Sequence, residues 1–181
     1  MAAGRTEQGQ GGMSLTVSRL KDVLDYDPES GSFKWKIVRG PTKKGSIAGT
    51  VNPAAKDRGG GYRQICVDGR KYYAHRLAWL YVTGDWPASQ IDHGNMDRDD
   101  NRFSNLRSAT RGENNANRAA RSNSRSGIKG ASYRPDRKAW RARIRVGGAD
   151  ILLGHFATAD MAHDAYVAAS RQYYGNFSRA A

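Results

Sequence analysis

Residues 88–118 read ASQIDHGNMDRDDNRFSNLRSATRGENNANR. Two short apolar runs flank a stretch crowded with Asp and Asn, and Thr110-Arg111-Gly112-Glu113 closes it with the pattern of a capping box. In that box the Thr hydroxyl takes an N–H from the first helical turn and the Glu reaches back to the Thr backbone, so a helix is expected from there to Asn117 or Arg118. The order predicted is a strand ending at Asp92-His93, a long irregular loop, a second short strand and that helix. Four residues punctuate it: Asp92-His93, then eleven residues to Asn105, then eight to Asn114.

Upstream, Leu15, Leu20, Val23 and Leu24 mark a short amphipathic helix, ended by a turn at Asp27-Pro28-Glu29-Ser30-Gly31. Phe33 to Ile37 alternates apolar with polar as a strand does, and Gly45 to Val51 suggests a second, weaker strand. The runs YRQICV and RKYYAH surround Asp68-Gly69, a dipeptide suited to a type I′ hairpin because both central residues need positive φ. His75 to Thr83 then reads as a helix stopped at Gly84, with Pro87 beyond it.

Downstream, residues 119–126 are small, polar and basic and form the expected linker. A second domain is expected over 127–181. Trp140, Ala142, Ile144 and Val146 alternate with Arg141, Arg143 and Arg145, so one strand face is apolar and the other carries three guanidinium groups. Strands near 130–134 and over 151–156 flank it, and Ala162, Ala165, Tyr166, Ala169 and Tyr173 recur at helical spacing. The fold class is therefore α+β, in two modules: residues 14–118 with a β-rich N-terminal region, and a small three-stranded antiparallel sheet packed on one helix. Residues 1–13, rich in Gly and Gln, are expected to be a disordered tail.

Charge narrows the partner. The chain of 181 residues has 30 Lys and Arg against 17 Asp and Glu, a net charge of +13, which favours a polyanion, and nucleic acid is the commonest one. Ten basic residues and one acid lie between Arg118 and Arg145, so the linker and the second sheet are the expected electrostatic footprint. One cysteine, Cys66, excludes an internal disulfide framework and a cysteine-based zinc finger; its place in an alternating strand reads as a small core residue. No apolar run is long enough for a membrane span and the start lacks a secretory h-region, so a cytoplasmic protein of a bacterium or phage-infected host is expected.

Several motifs have ordinary explanations. An Asp-His pair alone is most often part of a surface loop, and it is the spacing to Asn105, Asn114 and the capping box that lifts this one out. Asp97, Asp99 and Asn101 resemble the opening of a calcium loop, but Arg102 stands where its Gly is needed and Ser108 where its final Glu is needed. Gly59 to Gly61 lack the Lys-Ser/Thr of a phosphate-binding loop. His75, His155 and His163 read as structural, and Asn117, one turn beyond Asn114, as an exposed polar residue in preference to a further residue on the ligand face or a phosphate contact.

The pattern Asp92-His93, Asn105, Asn114 resembles the His-Asn-Asn branch of the HNH endonucleases over roughly residues 70–118. HRLAW, IDH, DNR, SNLRSAT and ENNAN are similar to its phage and intron-encoded members. The resemblance implies a ββα-metal core and hydrolysis of DNA phosphodiester bonds to 5′-phosphate and 3′-hydroxyl ends. A phosphodiester repels nucleophiles, so its hydrolysis needs a cation on the phosphate oxygens and a base for water. Asp92 and Asn114 are then the expected ligands of Mg²⁺, with Mn²⁺ as the alternative, because Asn114 replaces an imidazole with a hard oxygen. His93 is the expected general base, and Asn105 a support for His93 and its loop, not a ligand. This reading requires Asp92 and Asn114 on one side of the molecule and His93 within reach of solvent. One such site cuts one strand, so a double-strand break would need a homodimer or a second event; no other protein partner is implied.

Residues 127–178 resemble the Apetala-type domain of plant ethylene-response factors, through GIKGASYRPDRKAWRARIRV, LGHFATADMAHDAYVAASRQYYG and NF. The resemblance implies a sheet that enters the major groove of double-stranded DNA. Lys129, Arg134, Arg143 and Arg145 match DNA-contacting positions and Arg141 shares their face. Ser132, Asp136, Asp150 and Leu152 stand where plant members often have Arg or Trp, so the plant target site does not transfer. Two other functions compete: a non-cleaving, sequence-specific DNA-binding regulator, and an RNA-binding module, the latter disfavoured because the sheet lacks paired exposed aromatics for stacking.

Overall fold

The computed structural model describes residues 15–51, 61–118 and 126–179. The expected tail, Gly59 and Gly60, and the linker apart from Ser126 lie outside them.

Helix α1 (Val17–Val23) starts where the Thr16 hydroxyl accepts the Arg19 N–H at 3.2 Å. It runs straight into β1 (Leu24–Asp27), which pairs antiparallel with β2 (Ser32–Trp35) through the Pro28–Gly31 turn. Strand β1 was not expected, because Leu20, Val23 and Leu24 fit a helical stripe while Leu24 and Tyr26 fit a strand face equally well. The weak strand of 45–51 shrinks to β3 (Thr50–Val51) and an isolated bridge between Lys34 and Ile47. Strand β3 pairs with β4 (Arg63–Val67), which pairs with β5 (Arg70–Tyr73). The Asp68-Gly69 turn takes φ of 48° and 80°, as the dipeptide predicts. Helix α2 (Ala74–Thr83) follows and ends at Gly84 in the left-handed region.

The side chains of Leu20, Leu24, Phe33, Ile65, Leu77 and Leu80 form the fully buried centre of this first core, each worth about 1.5–3 kcal/mol of burial. Cys66 is not among them. Ile65 and Val67 take the buried face of β4, so Cys66 points the other way, where it is half-exposed and its carbonyl and sulfur accept from Arg39.

Next come β6 (Gln90–His93), β7 (Leu106–Ala109) and α3 (Arg111–Asn117), the expected strand, loop, strand and helix. The long loop between β6 and β7 is tied to the N-terminal region at three places. The Tyr26 hydroxyl donates to the Asn101 carbonyl at 2.7 Å, the Phe103 N–H to Pro28 at 3.1 Å, and the Arg63 fork grips Asp99 with two 2.8 Å bonds. The N-terminal strands therefore brace the loop that follows Asp92-His93.

The second module has strands β8 (Ala131–Arg134), β9 (Ala139–Val146) and β10 (Ala149–Phe156) in one antiparallel sheet, ordered β10-β9-β8. Helix α4 (Ala159–Tyr174) covers one face, burying Ala131, Ala142, Ile144, Ala162, Tyr166 and Ala169. The small residues let backbone and helix approach closely. At Gly130, φ is 78° and a Cβ would lie 2.1 Å from the Tyr166 ring, so only glycine fits. The module rests on α3: Arg179 donates to the Ala116 carbonyl at 3.4 Å, and the Tyr174 ring lies beside Gly112.

Candidate active site

Pairing of β6 with β7 sets Asp92 directly opposite Arg107 and His93 opposite Leu106. Arg107 Nε and Nη2 both donate to Asp92 Oδ2, at 3.0 and 2.8 Å. Helix α3 is then laid across β6 by its capping box: the Thr110 hydroxyl accepts the Glu113 N–H at 3.3 Å, and Glu113 Oε2 accepts the Thr110 N–H at 2.7 Å. Two of its asparagines meet the strand. Asn117 Nδ2 reaches both oxygens of Asp92, at 3.1 and 3.0 Å, and the His93 carbonyl at 3.0 Å. Asn114 Nδ2 donates instead to Gln90 Oε1 at 2.8 Å, one same-face step along the strand from Asp92.

Asn117 corrects its sequence reading. It is 8% exposed, among the buried polar groups, and it is the helix residue in contact with Asp92, itself 5% exposed. Asn114 shares the helix and strand face with Asp92 but has a different partner. Arg107 escaped sequence reasoning as well, because only the strand register shows it facing Asp92. Asn105 closes the loop that follows His93: its Oδ1 accepts the Asn95 N–H at 3.0 Å and its amide donates to the Asp100 carbonyl at 2.8 Å.

His93 departs from expectation in one respect: it is 4% exposed, not within reach of solvent. Its ring packs against Tyr62 at 5.8 Å and edge-on to His75 at 5.1 Å between centroids. The physical reason is the side of the sheet. Alternation along β6 turns Asp92 toward α3 and His93 toward Tyr62, just before β4, and His75 at the start of α2. Its Nε2 and the Asn101 Oδ1 are both buried without a partner in regular geometry. Burial holds the His93 pKa below its ordinary value, against the opposing influence of Asn101 and of the carboxylates of Asp92, Asp100 and Asp97. His75, also buried, is pushed down to about 3 by burial and then by the neighbouring His93 and Arg76.

The donor chemistry suits a hard cation. Among the described residues no three of His, Cys, Asp and Glu come together as a metal cage. One carboxylate with carboxamides in reach fits Mg²⁺ or Mn²⁺, which keep several waters and need few protein ligands. Asp92 and the α3 asparagines are the residues that could hold one, with Arg107 occupying Oδ2.

In the second module Arg134, Arg137, Arg141, Arg143, Asp150, Leu152 and His155 line one shallow depression on the sheet face away from α4. Arg143 pairs with Asp150 at 3.2 Å, Arg134 with Asp136 at 3.0 Å, and Arg145 Nε donates to the Gly148 carbonyl at 3.1 Å. Lys129, expected beside them, is placed elsewhere. Its ammonium donates to the Ala116 and Arg118 carbonyls at the end of α3 and lies 5.8 Å from the Tyr166 ring centre. Burial, then Arg179, lowers its pKa to about 8.

Residues 72–116 match the family model described as HNH endonuclease, which takes in β6, β7 and nearly all of α3. The match supports a nuclease acting on DNA. No curated protein and no solved structure matches the chain significantly. No helix among the described residues is long and apolar enough to cross a membrane.

Proposed function

We propose that the chain is a metal-dependent DNA endonuclease of site-specific, homing-like type, with His93 as its general base. The observation that carries this is that Asp92-His93 lies inside the segment 72–116 matching the HNH endonuclease model and is clasped by Asn117, the residue just past that segment on α3. Asp92 and Asn114 would hold Mg²⁺ or Mn²⁺, with Asn117 orienting the carboxylate. When bound, the ion supplies positive charge to the scissile phosphate and the leaving oxygen.

The chain's own residues do the rest. Burial lowers the His93 pKa and so favours the neutral imidazole, the form in which a ring nitrogen can take the proton of the attacking water. Since its ring packs against Tyr62, that step requires Tyr62 to move aside and admit the water. Asn105 holds the loop behind it. Arg134, Arg141, Arg143 and Arg145 bind double-stranded DNA, by phosphate contact or by bidentate contact with guanine. A homodimer would supply the second cut of a double-strand break, and the protein works in the cytoplasm of a bacterium or phage-infected host.

The test is incubation of the full chain with a pooled library of DNA sites in Mg²⁺, in Mg²⁺ with chelator, and with His93→Ala. Cuts leaving 5′-phosphates, lost with chelator and in the variant, are expected. Binding without any metal-dependent cut by the unaltered chain favours the second reading, a non-cleaving regulator. Its supporting observation is the closed site: His93 buried and Asp92 occupied by Arg107.

A further inference from the structure

Arg107 is held by both modules at once. Its Nε and Nη2 bond to Asp92, its Nη1 donates to the Asn176 carbonyl at 2.9 Å, and its guanidinium lies 3.9 Å from the centre of the Phe177 ring. Asn176 and Phe177 form the short 3-10 turn Gly175–Phe177 that follows α4, so they belong to the second module. A guanidinium is a rigid planar fork, and it cannot swing off Asp92 without also leaving the carbonyl and the ring. The Asp92 carboxylate is fully engaged meanwhile: Oδ2 accepts from Arg107 twice and from Asn117, and Oδ1 from Asn117. Its side chain is 6% exposed and that of Arg107 27%, so the pair lies where solvent weakens it only partly.

We infer that Arg107 is a positioning residue for Asp92 whose hold is set by the second module: the Asn176 carbonyl and the Phe177 ring keep a guanidinium on the carboxylate that a divalent cation must take. The inference rests on the metal-site reading above. Two cations compete for one buried carboxylate, and the module that reads DNA grips the one already there. The same module leans on α3 through Lys129, Tyr174 and Arg179, so the seat of the module on α3 and its hold on Arg107 go together.

The experiment is Mn²⁺ binding to the full chain without DNA, followed by the electron paramagnetic resonance of the free ion, for the unaltered protein, Arg107→Gln, Arg107→Lys, Phe177→Ala and Asp92→Asn, each checked for native circular dichroism. Arg107→Gln is expected to bind Mn²⁺ about tenfold more tightly and Phe177→Ala a few-fold more tightly, because each weakens a competitor of intermediate strength. Arg107→Lys, which keeps the charge but loses the fork, falls between the unaltered chain and Arg107→Gln. A purely structural arginine gives the opposite sign, since its loss would disorder Asp92 and weaken binding. Mn²⁺ binding that depends on Asp92 but is unchanged or weaker in Arg107→Gln and Phe177→Ala overturns this inference alone. Absence of any Asp92-dependent Mn²⁺ binding in all five proteins overturns the metal site as well. If Arg107→Gln does not fold, Phe177→Ala decides, because it loosens the clamp without touching the strand pair.

Discussion

One amide nitrogen of Asn117 donates to both carboxylate oxygens of Asp92 and to the carbonyl of His93, while Asn114, three residues earlier on α3, reaches only Gln90. The helix thus divides these two of its three asparagines between a buried, charged partner and a solvent-facing neutral one. Removing the first leaves a buried carboxylate short of a donor, which costs about 1–3 kcal/mol. Asn117→Ala is therefore expected to lower the thermal midpoint by several degrees, at about 2–4 °C per kcal/mol for a chain of this size. Asn114→Ala should leave the midpoint nearly unchanged yet abolish cleavage, with DNA affinity within a few-fold. Scanning calorimetry on the two variants, set beside a nicking assay, separates the roles; equal midpoints would mean that Asn117 does not hold Asp92.

Acid should weaken the fold through the histidine pair. The folded pKa of His75, about 3, lies below its ordinary 6.5, so as pH falls the unfolded chain takes up the proton first. The contribution of neutral His75 is complete above about pH 6.5 and is lost between there and pH 3, at up to ~1.4 kcal/mol per pH unit. Lowering of the His93 pKa acts in the same direction. His75→Phe keeps the ring against Tyr62, Tyr73 and His93 and cannot charge. Its urea-unfolding free energy should fall less steeply from pH 6.5 to 4 than that of the unaltered chain; parallel curves would show that His75 charges freely in the folded state.

The contrast between legible and illegible features is physical. Local chemistry was readable: the Thr110–Glu113 box and the Asp68-Gly69 turn are specified by residues within four positions of each other, and the arginine face of β9 by alternation alone. So was the order of strand, loop, strand and helix around Asp92-His93. What distant parts of the chain decide was not. Asn117 is polar in a polar run, and only the crossing of α3 over β6 buries it. Arg107 faces Asp92 because of the strand register, and is gripped by a turn about 70 residues later. Lys129 is an expected DNA contact on the sequence reading, yet the carbonyls left open at the end of α3 claim its ammonium. His93 is buried by elements that precede it, and nothing within the Asp-His motif foretells that.

Gly130 marks how tightly the second module is built. Any Cβ there meets the Tyr166 ring and must also hold a φ of 78°. Gly130→Ala has to displace Tyr166 from the core it shares with Ile144 and Ala169, an overpacking of ~1–3 kcal/mol with ~1 kcal/mol or more of backbone strain besides. The first core, from Leu15 to Leu106, does not include these residues. Hydrogen exchange should therefore rise in β8, β9 and α4 of the variant while α2 and β4 keep their protection. Uniform loss across both modules would show that they unfold as one unit.

Lys129 and Arg143 make opposite predictions for DNA binding, although the sequence reading sets both among the expected DNA contacts. Arg143 is exposed on the sheet face, and its Asp150 partner, at 3.2 Å, is a solvent-screened pair that a phosphate or a guanine can displace at little cost. Arg143→Ala should lose ~1–3 kcal/mol if it reads a base, or lower the slope of log affinity against log salt by about 0.9 if it neutralises a phosphate. Lys129 has its donors on the Ala116 and Arg118 carbonyls and would have to abandon both bonds to reach DNA. Lys129→Met therefore should leave both affinity and salt slope where they are, and instead lower the thermal midpoint, because the end of α3 loses its cap and the two modules lose a tie. A salt slope reduced by about 0.9 in Lys129→Met would place its ammonium on the phosphate backbone in the complex and show that the module turns away from α3 when it binds.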